Sequence, residues 1–170
     1  MNLSDQLHHK VFQIVASLAA KEQIPSYVIG GFVRDLLLEG ADNIPKDIDI
    51  VVIGSGIEMA GKVKQAIGEE VPLSVFKNFG TAMLKWGDTE IEFVGARKES
   101  YRRDSRKPLV ENGSLEDDQN RRDFTINALA ISLNPGDLVN CWIHLEESST
   151  WKRSLLPHHL NRDKHSRTIP

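Results

Sequence analysis

The chain has 170 residues, 40% hydrophobic and 26% charged, and a formal net charge of -3. This is the balance of one ordinary globular domain with at most an appendage, and it gives no global pull on nucleic acid, so any RNA contact needs a local patch. A single cysteine, Cys141, excludes an internal disulfide framework, the start MNLSDQLHHK lacks the apolar core of a signal peptide, and no apolar run is long enough to cross a bilayer; a cytoplasmic setting is expected.

In chain order, Leu3, Leu7, Val11, Ile14, Val15 and Leu18 recur at three- and four-residue steps, which predicts an amphipathic helix over residues 3–21, ended by Pro25. Tyr27 to Ile29 read as a short buried strand running into Gly30-Gly31. Phe32 to Leu38 read as a helix stopped by Gly40. Ile48 to Ile53 form a β-branched core strand closed by Gly54-Ser55-Gly56, and Glu58 to Ile67 can be helical. Three more strands are predicted at Leu73–Phe76, Thr81–Trp86 and Glu90–Val94, with Gly87-Asp88 as a hairpin turn.

From Arg97 to Asn112 the pattern dissolves into charge, with six basic residues among the eleven from Arg97 to Lys107, and a mobile loop is expected. Its charge suits a triphosphate or an RNA backbone, or simply solvent. Arg121 to Leu133 resume as a helix-to-strand segment. Residues 141–170 carry four of the six histidines and two prolines without periodicity, so a poorly packed tail is expected. The division is therefore an N-terminal helix at 1–24, one domain at 25–140 and an irregular tail at 141–170. The order of elements predicts a mixed α/β (α+β) domain with one small sheet backed by helices, not a doubly wound sheet.

The strongest chemical statement is Lys46-Asp47-Ile48-Asp49-Ile50. Side chains two apart on a strand share a face, so Asp47 and Asp49 project together while Ile48 and Ile50 point the other way. Two neighbouring carboxylates repel unless a cation sits between them. Mg2+ suits the place, because it takes one or two carboxylates plus substrate phosphates and water. A bare pair of aspartates would more often be solvated; here it leads into an apolar strand, downstream of a glycine turn. Glu92 is the candidate third carboxylate, with Glu90 on the same face as its competitor.

Val28-Ile29-Gly30-Gly31-Phe32-Val33-Arg34-Asp35 reads as strand, glycine turn and helix start. Glycines let backbone approach a ligand, a helix N-terminus offers N–H donors to an anion, and Arg34 can reach phosphates with its planar fork. Asp35 either holds that arginine or is a plain surface aspartate. The third glycine of a dinucleotide-binding fingerprint is absent, which removes the Rossmann reading.

Gly30-Gly31-Phe32-Val33-Arg34-Asp35, Asp47-Ile48-Asp49 and Arg121-Arg122-Asp123-Phe124-Thr125-Ile126-Asn127-Ala128 occur in an order that resembles the class II tRNA nucleotidyltransferase (CCA-adding enzyme) and bacterial poly(A) polymerase family, over roughly residues 25–140. The resemblance implies a polymerase-β-like head, with Asp47 and Asp49 binding Mg2+. It implies that Gly31 and Arg34 meet the phosphates of ATP or CTP, which the turn at Gly30 is read as helping to hold, that Arg122 and Asp123 position the nucleotide with Asn127 in support, and that Arg97 lies near the site. It implies tRNA or another RNA 3′ end as the strand extended. The family's base-selecting motif and helical regions have no match, so the expectation is a truncated catalytic head whose last thirty or so residues are read in a shifted frame. Two alternatives stay open: a nucleotide- and magnesium-binding remnant that extends no RNA, and a small-molecule nucleotidyltransferase.

Overall fold

The computed structural model describes residues 7–39, 45–100, 109–120, 129–134 and 141–142. The first helix, α1, spans Lys10–Glu22 and so starts later than the apolar spacing predicts. His9 sets that start. Its backbone is extended and its Nδ1 accepts a hydrogen bond from Val11 N at 3.2 Å, which occupies one of the unpaired first-turn donors. Leu7 is buried ahead of the helix, and Leu3 lies outside the described residues. The helix also ends before Pro25. Gln23, in the left-handed region at φ 56°, closes it by donating its N–H to the Ala19 carbonyl. Pro25 instead accepts from Ile53 N at 2.8 Å.

Strand β1 (Ser26–Ile29) leads into helix α2 (Gly31–Glu39), followed by strand β2 (Asp47–Val52) and helix α3 (Gly56–Ile67). Strands β3 (Leu73–Phe76), β4 (Thr81–Trp86) and β5 (Thr89–Gly95) come next, with a short 3-10 turn at Lys77–Phe79 between the first two. Each lies within two residues of its predicted span. The segment expected to be a loop from Arg97 differs. Arg97–Ser100 (β6) and Leu109–Asn112 (β7) pair antiparallel as a separate two-stranded sheet, and helix α4 (Leu115–Asn120) follows. Charge along these residues hid a backbone pairing that needs no apolar face. Residues 101–108 lie outside the described residues.

The main sheet has the order β3-β4-β5-β2-β1-β8-β9, where β8 is Ala130–Ser132 and β9 is Cys141–Trp142. The sheet thus reaches two residues into the segment expected to be a tail. Only β2 and β5 run parallel; the other neighbours are antiparallel. Helices α1, α2 and α3 cover one face, where Ile48, Ile50, Ile91 and Phe93 are fully buried with Val15, Val33 and Met59. Each such side chain contributes about 1.5–3 kcal/mol by leaving water. The helix α3 sits close on β5 because Gly56 has no side chain: a Cβ there would stand 2.8 Å from the Phe93 carbonyl oxygen.

The start of β2 is pinned from two sides. Thr89 Oγ1 donates to the Pro45 carbonyl at 2.8 Å, and Glu90 N donates to the Lys46 carbonyl at 2.7 Å. These bonds fix the parallel register, in which Asp47 lies opposite Glu90 and Asp49 opposite Glu92. On the opposite face from the helices, a smaller cluster of Ile29, Val51, Ala96 and Ala130 packs against Leu115 of α4. Among the described residues, no helix is long and apolar enough to cross a membrane.

The cap at His9 carries a pH dependence. Burial disfavours the charged imidazole and holds its pKa below the ordinary 6.5, in edge contact with Phe12 and Trp86. A folded value below the unfolded one means the unfolded chain takes up the proton first. The stabilisation is therefore complete above the unfolded value and is lost as pH falls through the folded one. His9→Asn keeps a capping acceptor without the titration. Urea unfolding between about pH 7.5 and about pH 5.5 is expected to show a shallower loss of stability for His9→Asn than for the unaltered chain; equal losses would dismiss the cap as the cause.

Candidate functional site

On the sheet face away from the three helices, acidic side chains stand in two adjacent strands. Asp47 and Asp49 share that face of β2, and Glu90 and Glu92 share it on β5, because their apolar neighbours Ile48, Ile50, Ile91 and Phe93 are buried on the other. The two glutamates are not equivalent. Glu90 accepts from Lys85 Nζ on β4 at 3.2 Å. Glu92, opposite Asp49, instead lines a cavity with it. Of the two, Glu92 is the one that lies with Asp49 against the cavity.

The glycine turn meets the same aspartate. Gly30 follows β1 with φ +79°, a backbone shape that side chains resist, and a Cβ there would sit 2.6 Å from Asp49 Oδ2. Its carbonyl accepts from Arg34 N at 3.1 Å, so α2 starts directly from this turn, with no acidic residue in the helix's first turn to offset its positive end. Gly31 needs neither shape nor space: its φ is ordinary, and a Cβ would meet Arg34 Nη2 at 3.6 Å, a normal contact. Asp35 holds the arginine in a two-pronged grip, with Nε to Oδ1 at 2.7 Å and Nη2 to Oδ2 at 3.0 Å. Such a pair fixes the plane of the fork.

A cavity of about 500 Å3 lies over this face, lined by Asp49, Glu92, Arg97, Thr81, Val94 and the rings of Phe76 and Phe79. It joins Asp49 of β2 to residues from Phe76 to Arg97, far from it in sequence. Asp47 stands outside its lining and is exposed at the start of β2. Arg122, Asp123 and Asn127 lie outside the described residues, as do the tail histidines His158, His159 and His165. Thr81, Phe76 and Phe79 escaped the sequence reading. The only signal for the two rings was a pair of phenylalanines flanking polar Lys77-Asn78 without amphipathic spacing.

Among the described residues, no group of three or more His, Cys, Asp and Glu side chains is gathered to hold a metal ion. A cage made of protein alone is therefore not what this face offers. Two strand carboxylates on one face fit Mg2+ in the other manner, with substrate phosphate oxygens and water completing its shell.

The contrast between the glycines is testable. Gly30→Ala forces a left-handed alanine into Asp49, at a cost of about 1–2 kcal/mol for the backbone alone. Gly31→Ala is expected to unfold in urea within about 1 kcal/mol of the unaltered chain. Equal destabilisation by the two would contradict the geometry of this turn.

The fold has counterparts among known proteins. Residues 26–145 match the family model described as the poly A polymerase head domain. An A-adding tRNA nucleotidyltransferase of Aquifex aeolicus is 47% identical over 112 residues, 66% of this chain and 13% of that protein. The A-adding enzyme of Halalkalibacterium halodurans is 31% identical over 154 residues, 82% of this chain and 34% of that one. Among solved structures, a CCA-adding enzyme in apo form II superposes with a TM-score of 0.69 at 37% identity, over 84% of this chain and 34% of its own. A tRNA nucleotidyltransferase complexed with a primer tRNA and an incoming ATP analog gives 0.62 at 38% identity, over 77% of this chain and 34% of its own. The chain thus spans about an eighth to a third of the length of these relatives. The mixed sheet with helices on one face is that of a nucleotidyltransferase head, and the chain belongs to the poly A polymerase head domain family.

Proposed function

We propose that this chain performs the nucleotidyl-transfer step of RNA 3′-end extension, joining AMP or CMP from ATP or CTP to a tRNA or similar RNA. Support comes from relatives named as A-adding tRNA nucleotidyltransferases, and from similar structures named as complexes with primer tRNA and an ATP analog, with ATP and with CTP. The single observation that carries the reading is the position of Asp49, between Glu92 on the neighbouring strand and the Gly30 turn that opens α2.

In this reading the triphosphate lies on the N-terminus of α2, over Gly30 and Gly31, where backbone N–H groups and the helix dipole favour an anion. Arg34, already planar against Asp35, shares its guanidinium with the phosphates. Arg122 and Asp123 position the nucleotide, including its ribose, with Asn127 in support, as the family resemblance implies, and Arg97 adds positive charge on the far side of Glu92. Asp47 and Asp49 would hold Mg2+, which would supply positive charge to the phosphates and to the attacking hydroxyl. Glu92, beside the cavity, accepts a hydrogen bond from the RNA 3′-hydroxyl and so orients its oxygen. That oxygen forms a bond to the α-phosphorus as the bridging bond to pyrophosphate breaks, and the hydroxyl proton passes to solvent. The catalytic unit is read as residues 25–140 with the β9 edge attached.

Primer extension with labelled ATP and CTP tests this. Asp47→Asn and Asp49→Asn are each expected to lower the rate by roughly 100-fold or more. Glu92→Gln should also slow extension clearly, whereas Glu90→Gln, which loses only the exposed pair with Lys85, should remain within about threefold. Uptake of ATP and Mg2+ without extension by the unaltered chain would reduce the reading to a nucleotide-binding remnant. Transfer that ignores RNA would point to a small-molecule acceptor.

A further inference from the structure

Resting on the reading above, we infer that Phe76 and Phe79 form the seat for the terminal nucleobase of the RNA strand being extended. Both rings are open to solvent, at 44% and 65% exposure, although each is large enough to be worth burying. They stay outside because of their local backbone. Phe76 ends β3 opposite Thr81, on the same face as Glu92, and Phe79 closes the 3-10 turn before Gly80, whose φ of +61° directs the chain into β4. Both rings line the cavity that contains Asp49, Glu92 and Arg97.

Their side of the site decides the occupant. The Gly30 turn approaches Asp49 from β1, while the rings lie beyond Glu92, on β3 and the turn that follows it. In phosphoryl transfer the attacking and leaving oxygens lie roughly in line, on opposite sides of phosphorus. With the triphosphate on the β1 side, the pyrophosphate leaves toward the glycine turn. The attacking hydroxyl must then arrive from the β4 side, so the nucleotide that carries it lies over the cavity. Aromatic faces stack on any base, and a neighbouring arginine suits the backbone phosphate. The pairing of two open rings with Arg97 matches a nucleotide better than it matches an apolar peptide.

The test measures binding of a 5′-labelled short RNA ending in cytidines by fluorescence anisotropy, with Mg2+ and a non-hydrolysable ATP analogue present. The analogue's own affinity is measured in parallel. Phe76→Ala and Phe79→Ala are expected to weaken RNA binding by roughly 5- to 100-fold each, with analogue binding within about twofold of the unaltered chain. Phe79→Trp should restore RNA binding, and Phe79→Leu should not. Unchanged RNA affinity in both alanine variants overturns the inference, as does no RNA binding by the unaltered chain. Equal rescue by leucine overturns it too, since that marks plain apolar cover. A loss confined to the analogue also overturns it, by giving the seat to the incoming base. Failure of the underlying reading shows separately, as absence of Mg2+-dependent analogue binding in the unaltered chain.

Discussion

The parallel pairing of β2 with β5 is the constraint on which the site depends. It sets Asp49 directly opposite Glu92 and Asp47 opposite Glu90, two like-charged pairs in succession on one face. Like charges in that relation destabilise a sheet. The strands cannot relax apart, because Ile48, Ile50, Ile91 and Phe93 are locked into the core on the reverse side. Lys85 relieves Glu90 only weakly, since both partners are open to water.

A second constraint joins the acids to the anion site. Asp49 occupies the space that a side chain on residue 30 would fill, so the glycine turn and the carboxylate form one surface and not two neighbouring motifs. The start of α2 then faces the same place as the acids. Opposite charges of ligand, phosphate and cation, can be satisfied within a single short span. Gly31 differs from Gly30 in this respect, since the fold would accept a side chain there.

Much of this was legible in the sequence because it rests on local periodicity. Asp47 and Asp49 share a face by the two-residue repeat of any strand, and Phe32 to Leu38 could only be helical after that turn. What escaped depended on partners distant along the chain. Glu92 and Glu90 are equivalent by alternation, and what separates them is the folded neighbourhood, Lys85 beside Glu90 and the cavity beside Glu92. The pair of β6 and β7 is held by backbone bonds, with charged Arg97, Lys98 and Glu99 along one strand, to which apolar patterning is blind. His9 and Gln23, rather than Pro25, bound α1 because capping geometry decides helix ends. Phe76 and Phe79 offered only their spacing around Lys77-Asn78, since exposure is a property of the folded chain.

Membership in the poly A polymerase head domain family and the geometry of this face converge on one claim, that Asp49 and its neighbours take up a nucleoside triphosphate together with a divalent cation. Isothermal titration calorimetry of ATP into the chain, with and without Mg2+, tests that claim most directly. The account predicts heat of binding only when both are present, and its disappearance in Asp49→Asn. ATP uptake that is indifferent to Mg2+, or that survives in Asp49→Asn unchanged, would contradict it.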